Sequence, residues 1–136
     1  MDDCIFCKII KGDIPCYKVY EDSTVMAWLD IKPLSKGHVL VVPKVHSPNI
    51  HEIPEDTLCE VTRVAKLVAG RMNDKLHPEA IFINQNNGEK AGQTIMHFHV
   101  HIKPIYEDTE CYSEEGKRAA LTPEEMKEVE EILRID

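Results

Sequence analysis

The sequence predicts an α+β fold: a mainly antiparallel five-stranded sheet with one long helix and short terminal helices. Three observations predict it. Five short apolar runs of strand length are separated by turn-like spacers, and one stretch between the third and fourth has the spacing of an amphipathic helix. Short helical patterns also stand near both ends. At 136 residues with 43% hydrophobic content, the chain suits one compact domain over 1–136 with enough apolar side chain for a core.

Residues 4–12 form a short amphipathic helix closed by Gly12, which can take the left-handed conformation that helix ends often need. Residues 17–20 and 25–29 are two strands of a hairpin, with Glu21, Asp22 and Ser23 supplying turn chemistry between them. Pro33 and Gly37 bracket a loop over 30–37, which feeds a nearly continuous apolar strand at 38–42. From about residue 54 to 73, Leu58, Val61, Ala65, Val68 and Met72 step by threes and fours, the period of one helix face. Residues 80–84 form a buried strand, 85–94 a polar loop containing glycines, and 97–102 the last strand. Thr122 and Glu125 have capping-box spacing and Pro123 suits a first helical position, so a final helix runs from 123 to about 133 with Val129 and Leu133 inward.

The net charge of −8 argues against long nucleic acids, which need a basic surface. A small anion needs only a local positive pocket. The start Met1-Asp2-Asp3-Cys4 lacks the cationic and apolar regions of a signal peptide, and no apolar segment approaches the ~20 residues of a membrane span. Five cysteines, an odd number without a secretion signal, are expected as reduced or metal-bound thiols, with the cytoplasm as the default compartment. The acidic segment from Tyr106 to Glu115 reads as a solvated surface loop.

Alternation along a strand puts His97, His99 and His101 on one face, and Met96, Phe98, Val100 and Ile102 on the other, where they give the strand a reason to be buried. A solvated row of neutral histidines is the bland alternative. Held side by side on a rigid element, the three rings form a pre-organised site. One neutral imidazole could attack phosphorus through one nitrogen while a carbonyl or carboxylate holds the proton of the other, and its neighbours could donate to phosphate oxygens. In the preceding loop, Gly88, Gly92, successive amides and the Thr94 hydroxyl could cradle an anion, although the order G-x-x-x-x-G-K-S/T of a P-loop is missing. Thr94 has the wrong parity for the histidine face and is expected to turn in from the loop.

Cys4-x-x-Cys7 offers two thiolates, and two imidazoles would complete a tetrahedral zinc site. Two thiols packed as small apolar side chains remain the alternative at this point. His46 and His97 are the candidate partners. His51 and His77 read as solvated, while Cys16, Cys59 and Cys111 read as isolated.

With these residues assembled, the chain resembles the histidine-triad family of nucleotide hydrolases and transferases, in its zinc-containing, bacterial-type phosphoramidase-like (Hint) branch. The likeness runs through Cys4-Ile5-Phe6-Cys7, Trp28-Leu29-Asp30, His38-Val39-Leu40-Val41-Val42-Pro43-Lys44-Val45-His46, Asn86-Asn87-Gly88 with Ala91-Gly92-Gln93-Thr94, and the histidine strand. Lys103 departs from the family pattern, where an apolar residue is usual, and so does Ile105, where arginine is common. The resemblance implies that His99 is the nucleophile that takes up a nucleoside monophosphate. It implies that His101 and Thr94 contact the phosphate, that His38 supports the triad, and that Asn86 and Gln93 stand in the phosphate-side loop. Asp30 would bind the ribose hydroxyls, and Ile5, Phe6, Ile9 and Ile14 would wall the base. A structural zinc would be held by Cys4, Cys7, His46 and His97. The implied activity is cleavage of purine nucleoside 5′-phosphoramidates or related nucleotidyl compounds, with AMP or GMP as the bound nucleotide, by a symmetric homodimer. Hydrolysis of dinucleoside polyphosphates is the rival within the family, and a non-catalytic nucleotide-binding protein the rival outside it.

Overall fold

Two of the apolar runs become strands buried at every position, β2 at Val25–Leu29 and β3 at Val39–Pro43. Strands buried on both faces need cover on both. The rest of the chain supplies it in the computed structural model, which describes residues 3–108 and 118–136. In chain order the further elements are α1 (Ile5–Lys11), β1 (Lys18–Glu21), α2 (Glu55–Leu76), β4 (Ala80–Asn84), β5 (Val100–Ile105) and α3 (Pro123–Leu133). The strands form one five-stranded sheet in the order β1-β2-β3-β5-β4, and their pairings are antiparallel, as expected.

Strand alternation sorts the side chains into two layers. Val25, Ala27, Leu29, Val39, Val41, Val100 and Ile102 face α2 and α3, where they meet Val61, Val64, Val68, Met72, Val129 and Leu133. The N-cap of α2, Pro54, gives it no side-chain cap, so burial of Val61, Val64, Val68 and Met72, each worth roughly 1.5–3 kcal/mol, is what holds the helix in place. On the opposite face Met26, Trp28, Leu40 and Val42 pack under Phe6 and Ile9 of α1. Among the described residues only this short helix covers that face, which leaves room for a site beside it.

Register builds two rows across this second face. Trp28 lies opposite Leu40, Leu40 opposite His101, and His101 opposite Asn84. In the next row the Asp30 amide donates to the His38 carbonyl at 2.9 Å, the pairing of Val39 with Ile102 carries His38 opposite Lys103, and Lys103 lies opposite Phe82.

The histidine segment departs from expectation. The regular strand begins at Val100, and His97 and His99 lie in the irregular stretch before it. β3 ends at Pro43, which has no N–H to give a ladder, and the Phe98 amide donates instead to the Ser47 carbonyl at 2.7 Å. Met96, expected on the buried face, is 46% exposed because that face stops with the ladder, whereas Phe98, Val100 and Ile102 are in the core. Smaller differences are that β1 begins at Lys18, that His38 sits just before its strand, and that α2 continues past residue 73 to close at His77 in the left-handed region (φ 50°). The capping box at Thr122 and Glu125 forms with Pro123 in the first turn, and Gly12 closes α1 at φ 88°. The expectations for residues 109–117, which include most of the acidic segment and Cys111, lie outside the described residues. No helix among the described residues is long and apolar enough to cross a membrane.

Candidate functional site

Cys4 caps α1, its Sγ accepting from the Cys7 amide at 3.4 Å, so one helical turn aims both thiols the same way. His46 follows β3 and His97 precedes β5, and both bring Nδ1 to those thiols. The separations are 3.2 Å from His46 Nδ1 to His97 Nδ1, 3.3 Å from Cys7 Sγ to His46 Nδ1, and 3.4 and 3.6 Å from His97 Nδ1 to Cys4 and Cys7 Sγ. A tetrahedral zinc ion at ordinary bond lengths sets N–N and N–S edges of roughly 3.3 and 3.6 Å. The donor set therefore fits that ion. His97 Nε2–H donates to the Pro43 carbonyl at 2.8 Å, which leaves Nδ1 as a lone pair facing the thiols, the arrangement a metal ligand requires. Burial, with His46 and His99 nearby, holds His97 down to about 4 against the Pro43 hydrogen bond, so its ring is neutral near pH 7. Burial and the neighbouring Cys4 raise the Cys7 thiol, a preference that a bound cation would reverse.

His99 is 7% exposed, and its Nδ1–H donates to the carbonyl of His97 at 2.7 Å. The proton of this ring is thus committed to one side. Its Nε2 carries the lone pair on the other. Phe6 from α1 meets His99 edge to face at 5.0 Å and also touches the rings of His97 (5.8 Å) and Trp28 (5.3 Å). The His99 ring is therefore held by a carbonyl and by an aromatic edge.

A chain of three groups fixes the next ring. The Leu34 amide donates to His38 Nδ1 at 3.0 Å, so neutral His38 bears its proton on Nε2 and donates it to His101 Nδ1 at 3.0 Å. His101 then carries its own proton on Nε2. Burial, reinforced by His101, Lys103 and Arg118, pushes His38 down to about 2. The 3.7 Å approach of His38 Nε2 to Asp30 Oδ2 is consequently a neutral ring beside a carboxyl group rather than an ion pair. Asp30 accepts from the Lys32 amide at 2.8 Å, and burial raises its carboxyl above the usual range.

The loop before the triad is organised by its own hydrogen bonds. Gly88 (φ 94°) and Gly92 (φ 92°) adopt a backbone that other residues rarely take, and a 3-10 turn over Glu89–Ala91 lies between them. The amides of Ala91, Gly92 and Gln93 donate to Gly88 and Glu89 carbonyls, and the Gly88 amide donates to Gln93 Oε1 at 2.8 Å. These four amides, read from the sequence as part of an anion cradle, are spent on closing the turn. Gln93 is buried, and its Nε2 donates to the Pro48 and Ile95 carbonyls, so it shapes the loop from inside. Asn86 Nδ2 donates to the Ala91 carbonyl at 2.6 Å, and Thr94 is exposed in the loop. Of the residues expected to wall the base, Phe6, Ile9 and Ile14 pack in the layer under α1, whereas Ile5 is 42% exposed.

The structure thus brings the four thiol and imidazole groups together, and places His38, Asp30, His99 and His101 side by side. His51 and His77 are both exposed, as read from the sequence, and His77 also closes α2. Sequence reasoning expected a carbonyl or carboxylate at the second nitrogen of the attacking ring but could not name the backbone groups that set each tautomer, the carbonyls of Pro43 and His97 and the amide of Leu34, for which side-chain identity carries no signal. It also left Lys103 without a place. Its parity with His99 and His101 was the available sign.

A family model for the HIT domain matches residues 11–108, and the chain belongs to that family. An adenosine 5′-monophosphoramidase of Schizosaccharomyces pombe is 38% identical over 130 residues, covering 96% of this chain and 95% of that protein. Among solved structures, a HIT-like protein from Bartonella henselae superposes with a TM-score of 0.89 at 31% identity, covering 98% and 96% of the two chains. A zinc-bound histidine triad protein from Mycobacterium smegmatis superposes at 0.83 with 29% identity, covering 98% and 91%.

Proposed function

We propose that this protein is a nucleotide hydrolase and nucleotidyl transferase that cleaves purine nucleoside 5′-phosphoramidates or related compounds through a nucleotidyl-histidine intermediate. The observation that carries the reading is the state of His99: Nδ1–H committed to the His97 carbonyl, Nε2 left as a lone pair. The similarity to an adenosine 5′-monophosphoramidase supports the substrate class.

In the first step His99 Nε2 attacks the α-phosphorus and the bond to the leaving group breaks. The leaving amine or phosphate takes up its proton from solvent, while His101 Nε2–H donates a hydrogen bond to a phosphoryl oxygen. The positive charge that develops on His99 is met by the His97 carbonyl at its other nitrogen. In the second step a water molecule attacks phosphorus in line and its proton passes to solvent, while the bond from phosphorus to His99 breaks with its electron pair returning to Nε2, which releases the nucleoside monophosphate. Donors aimed at the phosphoryl oxygens, from Thr94 and from His101, would each be worth about 3 kcal/mol in a dry site. Asp30 would accept from the ribose hydroxyls, and the layer around Ile5, Phe6, Ile9 and Ile14 would receive the base. Asn86 and Gln93 would act through the loop that presents Thr94.

Cys4, Cys7, His46 and His97 would hold one zinc ion, which supplies a cross-link between α1 and the histidine segment. Reduced thiols at Cys4 and Cys7 fit a reducing compartment such as the cytoplasm. The chain would act as one HIT domain, paired with a second copy along the β4 edge.

Parallel assays with an adenosine phosphoramidate and a diadenosine polyphosphate test the reading. A larger kcat/KM for the phosphoramidate is expected. A strong preference for the polyphosphate would move the protein to the rival branch, and turnover of neither would make it a binding protein.

A further inference from the structure

Lys103 is 2% exposed, one of the largest fully buried side chains in the molecule. Burying an ammonium group costs far more than burying an apolar chain of the same length. A strand position that tolerates it at the centre of a sheet therefore has something to compensate the charge. The Nζ atom sits 5.5 Å from the centre of the Phe82 ring, which gives the cation one favourable surface. The register gives it another neighbour: Lys103 lies opposite His38, and His38 lies beside Asp30. Asp30, His38, Lys103 and Phe82 thus form one row, adjacent to the row that contains His101.

We propose that Lys103 is a positioning residue for the transfer, its buried ammonium keeping Asp30 as the carboxylate and His38 as the neutral donor that sets the His101 tautomer. A proton arriving on His38 Nδ1 would displace the Leu34 amide, and it would also place a second positive charge across the strand from Lys103. Cross-strand neighbours on one face have Cβ atoms about 5 Å apart, so the Lys103 and His38 side chains rise from the same buried row, where like charges are poorly screened. Among the described residues the titratable and charged groups around the row are Asp30, His38, His99, His101 and Arg118, and Lys103 is among those that depress both Asp30 and His38. The inference rests on reading His101 as the ring whose Nε2–H donates to the phosphoryl group during transfer.

The test uses the full chain with Lys103→Met, which keeps length and apolar volume without the charge, and Lys103→Arg, which keeps the charge. Removing a cation makes protonation of its neighbours easier, so their pKa values rise and activity is lost at a higher pH on acidification. The acid limb of kcat/KM for an adenosine phosphoramidate should move up by about half a pH unit or more in Lys103→Met, roughly a threefold loss at a pH on the limb. It should stay in place in Lys103→Arg. Nitrogen NMR of the histidines, without substrate, should give His38 a single Nε2–H tautomer in the wild type and a mixture or a titration in Lys103→Met. An unmoved limb with an unchanged His38 signal would overturn the inference, as would a uniform loss at every pH that both variants share. If the wild type turned over no nucleotidyl substrate, the functional reading would fail, and the NMR comparison would still decide the role of Lys103.

Discussion

His99 differs from its neighbours in the triad by which of its nitrogens is committed. His97 spends Nε2 on the Pro43 carbonyl and turns Nδ1 to the thiols, whereas His99 donates from Nδ1 to the His97 carbonyl, which makes Nε2 its unprotonated nitrogen. His101 accepts at Nδ1 from His38 and retains Nε2–H. On the proposed reading, three identical side chains thereby become a metal ligand, a nucleophile and a hydrogen-bond donor to phosphate. Replacing His99 by alanine should lower kcat/KM by more than about a thousandfold, because a nucleophile works as a unit with its neighbours. The fold should survive, since the core behind Phe98 and Val100 is untouched. Near-normal turnover by this variant would remove His99 from the mechanism. Alternation in the sequence made the shared direction of the rings legible. It could not divide their roles, because the deciding partners are backbone carbonyls and an amide whose positions depend on the loop after β2 and the end of β3.

At the scale of elements, α1 joins the two sites. Its capping turn carries Cys4 and Cys7, and between them Phe6 reaches the rings of His97 and His99. A helix of 7 residues has little stability of its own, so its attachment to the histidine segment comes from these contacts and, on the proposed reading, from a bound ion. Cys7→Ser should lose the metal that purified wild type is expected to carry at about one per chain. Losing even ~2 kcal/mol with it would lower Tm by roughly 6 °C, and a chelator should then have no further effect. A Cys7→Ser protein with undiminished metal would contradict the assignment. The elements themselves were largely legible: β2, β4 and α3 have the expected limits because apolar period, turn residues and caps agree there. The histidine strand was misjudged because periodicity describes side-chain direction, while the ladder also needs an N–H that Pro43 lacks. The loop at 85–94 misled for a similar reason, since glycines that suggest a cradle equally allow a turn that consumes its own amides.

At the scale of the whole molecule, the strand order leaves β4 at an edge with Ile83 50% exposed, and Ile50 and Leu67 also open to solvent. An edge strand with apolar neighbours invites pairing, and a second copy can satisfy it by symmetry. Sedimentation should therefore give twice the 15.5 kDa of one chain, and a monomer at micromolar concentration would contradict that assembly. The sequence offered strands and a long helix but not which strand lies outermost, because strand order follows from packing of both faces. The same order joins the remote parts of the site, since β3 and β5 are neighbours and bring His38 to His101 across 63 positions of sequence. The account as a whole depends on a covalent bond between His99 and a nucleotide. Rapid acid-free quenching of the wild type during turnover of an adenosine phosphoramidate, followed by mass spectrometry of its peptides, tests this directly. The account predicts one nucleoside monophosphate unit on the peptide containing His99, absent from His99→Ala. Turnover at full rate with that peptide unmodified at every time point would contradict it.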